Sequence, residues 1–126
     1  MTDHRRPGFG TVTPYLIVEG AKELIEFIVE VFDAVELSRS LDEGTITNSA
    51  IRVGDSMIEV SEARGGWGPF QGSLHLYVED TDAVYAKALK AGATSLHEPL
   101  DQPYGERSAA FRDPSGTMWF PATYTG

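Results

Sequence analysis

Two side chains in this sequence of 126 residues combine acid–base capacity with apolar neighbours: Glu59, in Met57-Ile58-Glu59-Val60-Ser61, and His75, in Ser73-Leu74-His75-Leu76-Tyr77. Each alternates with aliphatic residues, so in an extended strand it stands on the face opposite to them. A carboxylate and an imidazole in a dry pocket can move a proton to or from a bound molecule. Plainer roles exist for both. Glu59 can pair with Arg52, Arg107 or Arg112, and His75 can be a hydrogen-bonding pocket or interface histidine. The second candidate chemistry is the binding of flat rings. Tyr15, Trp67, Phe70, Tyr104 and Phe120 supply stacking surfaces, and acidic groups nearby would favour a cation. Trp67 and Phe70 lie in the glycine-rich stretch Arg64-Gly65-Gly66-Trp67-Gly68-Pro69-Phe70-Gln71. They either line a flap over a pocket or anchor a linker to the body.

Other chemistries lack their residues. With no cysteine there is no disulfide framework, thiolate metal site or cysteine nucleophile. No nucleophile elbow and no phosphate-binding glycine loop is present. The formal net charge of -9 argues against a nucleic-acid partner, since a phosphate backbone would be repelled. No apolar run is long enough to span a bilayer and no signal peptide is evident, so no membrane partner and a cytoplasmic location are expected.

The elements that must position these groups follow from hydrophobic period and turn residues. Residues 12–18 form a first strand, and 21–32 a helix with Leu24, Ile25, Ile28 and Phe32 on one face. Strands follow at 35–41, 46–53 and 56–61, with turns at Asp42-Glu43-Gly44 and Gly54-Asp55. Beyond the linker, a strand at 73–78 leads to a helix capped by Asp80 and stopped at Gly92. Three further strands are expected at 94–97, 108–112 and 117–124. A loop spans 99–106, and Asp113-Pro114-Ser115-Gly116 forms a turn.

This order states one unit twice. Ile17-Val18-Glu19 leads into the first helix, and about sixty residues later Tyr77-Val78-Glu79 leads into the second; a long repeat present only twice is no solenoid. The division is a polar tail at 1–10, modules at 11–63 and 72–126, and the linker at 64–71, all within one domain. In each strand one face is purely apolar and suits a helix. The other mixes Tyr15, Met57, Glu59, His75, Tyr77, Met118 and Phe120. An antiparallel sheet can turn such a face to water, but these residues are bulky enough to suit the wall of a ligand cavity.

The segment Asp113-Pro114-Ser115-Gly116-Thr117-Met118-Trp119 resembles the turn-and-last-strand signature of the glyoxalase / bleomycin-resistance / extradiol dioxygenase superfamily, also called vicinal oxygen chelate proteins. Leu76-Tyr77-Val78-Glu79-Asp80-Thr81-Asp82-Ala83 with Lys90-Ala91-Gly92-Ala93 is similar to its second-module opening. Gln102-Pro103-Tyr104-Gly105-Glu106-Arg107-Ser108 resembles a segment of its PhnB-like branch. Ile28, where many relatives carry Tyr, and Asp33, in place of a common Gly, are departures.

The resemblance implies an α+β fold of two βαβββ modules forming a curved mixed sheet around a cavity, in a dimer that can exchange modules. It places the superfamily's four metal-ligand positions at Thr13, Glu59, Ser73 and Phe120. Only Glu59 is a ligand of the expected kind, and a catalytic metal usually takes three protein ligands. The expected function is therefore metal-free and cofactor-free. It is sequestration of an aromatic, cationic small molecule in a dimer-interface cavity, as in the bleomycin-resistance group, with Tyr15, Glu59, Trp67, Phe70, His75, Tyr104 and Phe120 as contacts. The alternatives are a metal-dependent lyase, isomerase or dioxygenase of the same fold, or a cofactor-free enzyme working through Glu59 and His75.

Overall fold

The computed structural model describes residues 4–126; the first three residues of the expected tail lie outside the described residues. Ten elements follow in chain order: β1 Tyr15–Val18, α1 Ala21–Phe32, β2 Val35–Asp42, β3 Thr45–Val53, β4 Ser56–Glu62, β5 Ser73–Tyr77, α2 Thr81–Lys90, β6 Thr94–Gln102, β7 Glu106–Arg112 and β8 Met118–Tyr124. This is βαβββ twice. The strands bond into two four-stranded mixed sheets, ordered β1-β4-β3-β2 and β5-β8-β7-β6. In each, the first strand of the module lies parallel to the last.

Three boundaries differ by more than one residue from the sequence-based expectation. β1 begins at Tyr15 rather than at residue 12, because Pro14 has no N–H to give a ladder and Val12 is left exposed. β6 runs on to Gln102, through the stretch expected as a loop, with register shifts on both sides of His97 that absorb the irregularity around Pro99. β7 opens at Glu106 instead of residue 108. The tail from residue 4 has no regular element, yet the Arg6 guanidinium lies over the Phe9 ring and donates to Ser38 Oγ at 3.3 Å.

Both helices are started by the end of their module's last strand. The residue before α1 is Gly20, which has no side chain with which to cap. The Glu62 carboxylate, at the end of β4, fills that role by accepting from Ala21 N at 2.9 Å and from Gly20 N. At the corresponding place in the second module, Thr123 Oγ1 accepts from Thr81 N at 3.2 Å and donates to the Val78 carbonyl. Asp80 adds the expected cap, accepting from Ala83 N at 3.0 Å. Asp33 ends α1 at a φ of 52°, a left-handed position where glycine would be unstrained, and Lys87 Nζ reaches its carboxylate at 3.3 Å.

The core is continuous between modules. Leu16, Ile51, Ile58 and Val60 of the first sheet, Leu24, Ile25 and Ile28 of α1, and Phe111 and Trp119 of the second sheet are buried in one cluster. Rings carry the join: Phe27 meets Phe111 edge-on at 6.0 Å, and Phe32 lies 4.9 Å from Trp119. The apolar face of each sheet therefore looks inward onto its own module's helix, and the α1 rings reach across to the second sheet. A sheet has two faces, so the mixed faces look outward, away from the helices. The space between the modules, expected from sequence to be a cavity, is core at its centre.

The signature turn is explained by one buried carboxylate. Asp113 Oδ2 accepts from Trp119 Nε1 at 2.6 Å, while Oδ1 accepts from Ser115 N at 2.7 Å and from the Ser115 hydroxyl at 2.6 Å. The motif thus ties the largest core side chain to its own turn.

Candidate functional site

On the first sheet, pairing places Tyr15 beside Glu59 and Glu59 beside Ala50. Asn48, two residues from Ala50, shares that face, and its Nδ2 donates to Glu59 Oε1 at 2.8 Å. Glu59 is thus half-buried and held by a neutral amide. Of the arginines considered as its partners, Arg107 is taken by Asp82 and Asp101. The small Ala50, fully buried, leaves the floor beside Glu59 low.

On the second sheet, His75 pairs with Phe120 and Tyr77 with Ala122. His75 Nε2 lies 3.3 Å from Glu106 Oε2, and the His75 ring meets the Tyr77 ring edge-on at 5.0 Å. Ser108 pairs with Ala122, which puts Glu106, two residues away on the same strand, on this same outward face. Tyr77 is 68% exposed and the His75 side chain 45%, so the face is open.

The remaining candidates are placed apart. The linker backbone is pinned: Phe70 N donates to the Ile17 carbonyl at 3.0 Å, and Arg64 and Trp67 exchange backbone hydrogen bonds. Gly68 packs so closely that an added Cβ would stand 2.9 Å from Ile17 Cγ2. The Trp67 and Phe70 side chains nevertheless stay largely exposed along the β1 edge. The linker is therefore anchored through its backbone while offering its rings. Tyr104 sits exposed in the turn between β6 and β7, two residues before Glu106. The structure brings Tyr15 together with Glu59, and His75 with Phe120, as two separate clusters on different sheets.

An open groove of about 920 Å³ lies elsewhere, on the helix side of β5, lined by Val31, Phe32, Val53, Leu74, Val84 and Lys87. Of the expected ligand contacts only His75 lines it, together with Met57 and Tyr77 of the mixed strand faces.

Sequence reasoning missed Asn48, Glu106 and the edge-on role of Tyr77. The Gly54-Asp55 turn sets the hairpin register that pairs Ala50 with Glu59, so Asn48 was within reach of a register argument. Glu106 falls at the end of the stretch expected as a loop, and although the Gln102–Ser108 segment stands out, its local spacing does not reveal the partner on β5.

Of the four positions that the resemblance assigns to a metal, only Glu59 carries a ligand of the expected kind. Thr13, Ser73 and Phe120 are poor ligands or none, and one Glu59 oxygen already accepts from Asn48. Among the described residues no group of three or more His, Asp and Glu converges. No helix of the described residues is long and apolar enough to cross a membrane. Ion pairing is peripheral. Hydrogen bonds from Arg107 lower the Asp82 pKa against a smaller desolvation cost. At Glu36 burial raises the pKa, but hydrogen bonds from Arg39 and Ser49 outweigh it and the net shift is downward.

Comparison with known proteins agrees with this architecture. An uncharacterized protein of Mycobacterium bovis is 34% identical over 120 residues, spanning 86% of this chain and 79% of that protein. A counterpart in Mycobacterium tuberculosis strain H37Rv is also 34% identical, over 86% of this chain and 71% of its own length. Among solved structures, TioX from Micromonospora sp. ML1 superposes with a TM-score of 0.72 at 21% identity, covering 90% of this chain and 98% of that one. A PhnB protein from Bacillus cereus, described as a putative 3-demethylubiquinone-9 3-methyltransferase, gives 0.74 at 20% identity, over 90% and 99%. The fosfomycin resistance protein FosX from Mesorhizobium loti gives 0.68 at 19%, over 92% of each chain. At these identities the structural likeness speaks for the fold. A family model matches residues 8–120, and on that match this chain belongs to the Glyoxalase/Bleomycin resistance protein/Dioxygenase superfamily.

Proposed function

We propose that the protein is a metal-free binder of a planar, cationic aromatic small molecule, held in a cup that a second copy of the chain completes. The observation that carries this reading is the outward turn of both mixed faces. Tyr15 and Glu59 on one sheet, and His75, Tyr77 and Phe120 on the other, face away from the shared helix core, with the Tyr15, His75 and Tyr77 rings exposed and Phe120 half-buried. Two such half-sites face each other only if the first sheet of one copy meets the second sheet of another, an isologous arrangement that makes two equal cups. Trp67 and Phe70, exposed along the β1 edge, would stand at the rim, and Tyr104 at the far end of the second sheet. Rings stack on a flat ligand, the Glu59 carboxylate and the -9 charge favour a cation, and the single ligand-type side chain among the four family positions leaves a metal without its donors.

The test is titration of chelator-treated, tag-free protein with acridine orange, followed by tryptophan emission. The expected result is saturable quenching in the micromolar range, reduced in Trp67→Phe and unchanged by added zinc or manganese. No quenching up to about 100 μM, an affinity too weak for sequestration, would reject the reading. Quenching that appears only after metal is restored would favour a metal-dependent lyase, isomerase or dioxygenase. Turnover that survives chelation would favour acid–base chemistry by Glu59 and His75.

A further inference from the structure

The second half-site holds a relationship that the aromatic-binding reading does not require. Glu106 is largely buried, its side chain 12% exposed, yet it lies on the outward face where its carboxylate meets His75 Nε2 at 3.3 Å. An ionised carboxylate can only accept hydrogen bonds. The ring nitrogen facing it must therefore carry the hydrogen, which in a neutral imidazole leaves Nδ1 with a free lone pair. The edge-on Tyr77 ring at 5.0 Å restrains the imidazole from a second side. No group of the described residues bonds Nδ1, in contrast to His97, whose Nδ1 lies 2.8 Å from the Glu98 carbonyl. Phe120, paired with His75 across β5 and β8, stands next to this acceptor.

We propose that Glu106 is a positioning residue that fixes His75 as the Nε2–H tautomer, so that Nδ1 selects an aromatic ligand bearing an O–H or N–H donor over an isostere without one. The inference rests on the aromatic-binding reading above and adds a chemical class to it. A site built around an acceptor discriminates in one direction. A donor-bearing ring satisfies Nδ1, whereas its methyl ether buries the lone pair unpaired. Ala110, buried and paired with His97 further along the same face, keeps the floor low enough for a ring to approach.

The experiment has two readouts on the full chain. Long-range nitrogen–proton NMR of the His75 ring, assigned with His75→Phe, reads the tautomer without any ligand. Wild type is expected to show a protonated Nε2 and a bare Nδ1, and Glu106→Ala a mixture of tautomers. Calorimetric titration with 2-naphthol and 2-methoxynaphthalene reads the selection. Wild type is expected to bind the naphthol about fivefold tighter, the worth of one hydrogen bond. In Glu106→Ala and in His75→Phe the ratio should collapse towards one while both probes still bind. A wild-type tautomer mixture that Glu106→Ala leaves unchanged overturns the positioning role. Equal binding of the two probes to wild type overturns the selection and leaves the aromatic-binding reading standing. Absence of binding by either probe overturns the selection, and the aromatic-binding reading then stands or falls on the acridine orange titration.

Discussion

The Phe32 ring, in the last turn of α1, lies 4.9 Å from the Trp119 ring of β8 and is tilted to it by 39°. One belongs to the first module and the other to the second, so the contact fixes how the modules face. Phe111, stacked on Phe32 at 6.4 Å and edge-on to Phe27, extends the join. A helix between two apolar sheet faces leaves the polar-aromatic faces on the outside, and the account of function starts there.

Phe111→Ala should cost about 3–5 kcal/mol, because the ring is fully buried and contacts both Phe27 and Phe32. Urea unfolding should remain a single transition with a lower midpoint, since both modules share the core. Two separate transitions, or a loss below about 1 kcal/mol, would mean that the modules stand independently.

Asp113→Ala should cost about 3 kcal/mol by leaving the buried Trp119 Nε1–H and the Ser115 N–H without their acceptor. Near-ultraviolet circular dichroism of the folded variant should show a weakened tryptophan band. An unchanged band and midpoint would contradict the structural reading of the signature turn.

Glu62→Ala and Thr123→Ala should each cost about 1 kcal/mol, the worth of a helix-starting hydrogen bond. The two losses should add, as they fall on different helices. Denaturant midpoints of the single and double variants check this. A null effect of Glu62→Ala would mean that water replaces the carboxylate at α1 without cost.

Acid should destabilise the protein in a defined window. Asp82 and Glu36 ionise below their ordinary values in the folded state. The unfolded chain then binds more protons than the native one between the folded and unfolded pKa values, so stability rises with pH there. The contribution is fully present above the unfolded values, about 4, and is lost as pH falls through the folded ones. Melting temperature should fall from pH 5 towards pH 2, and Asp82→Asn with Glu36→Gln should fall less steeply. Parallel curves would show that these pairs carry none of the acid sensitivity. Both sites are partly exposed, so the difference should be modest and salt-dependent.

Much of this architecture was legible in the sequence. The spacing of Val18 before α1 and Val78 before α2, the Asp80 cap and the Gly92 stop all depend on local chemistry, and each stands in the structure as expected. The faces of Glu59 and His75 were legible because strand alternation is strict. Three things were not. The bulged path of β6 past Pro99 breaks that alternation, which hid Glu106 in an expected loop. Partners that cross from one strand to another, such as Asn48 to Glu59, depend on register rather than on type. The packing of the two modules against each other rests on Phe32 meeting Trp119, a contact between modules that no local pattern encodes.

The most direct test of the central claim is complementation between two defective binders. Glu59→Gln damages the first-sheet half-site and Phe120→Ala the second, so each homodimer should bind acridine orange poorly. Unfolded together, mixed and refolded, the two variants form mixed dimers in which one cup takes both intact halves. Binding should return to about a quarter of the wild-type site number, as random pairing into two-fold dimers requires. If the mixture binds no better than the separate variants, the cup does not span two chains, and the account fails.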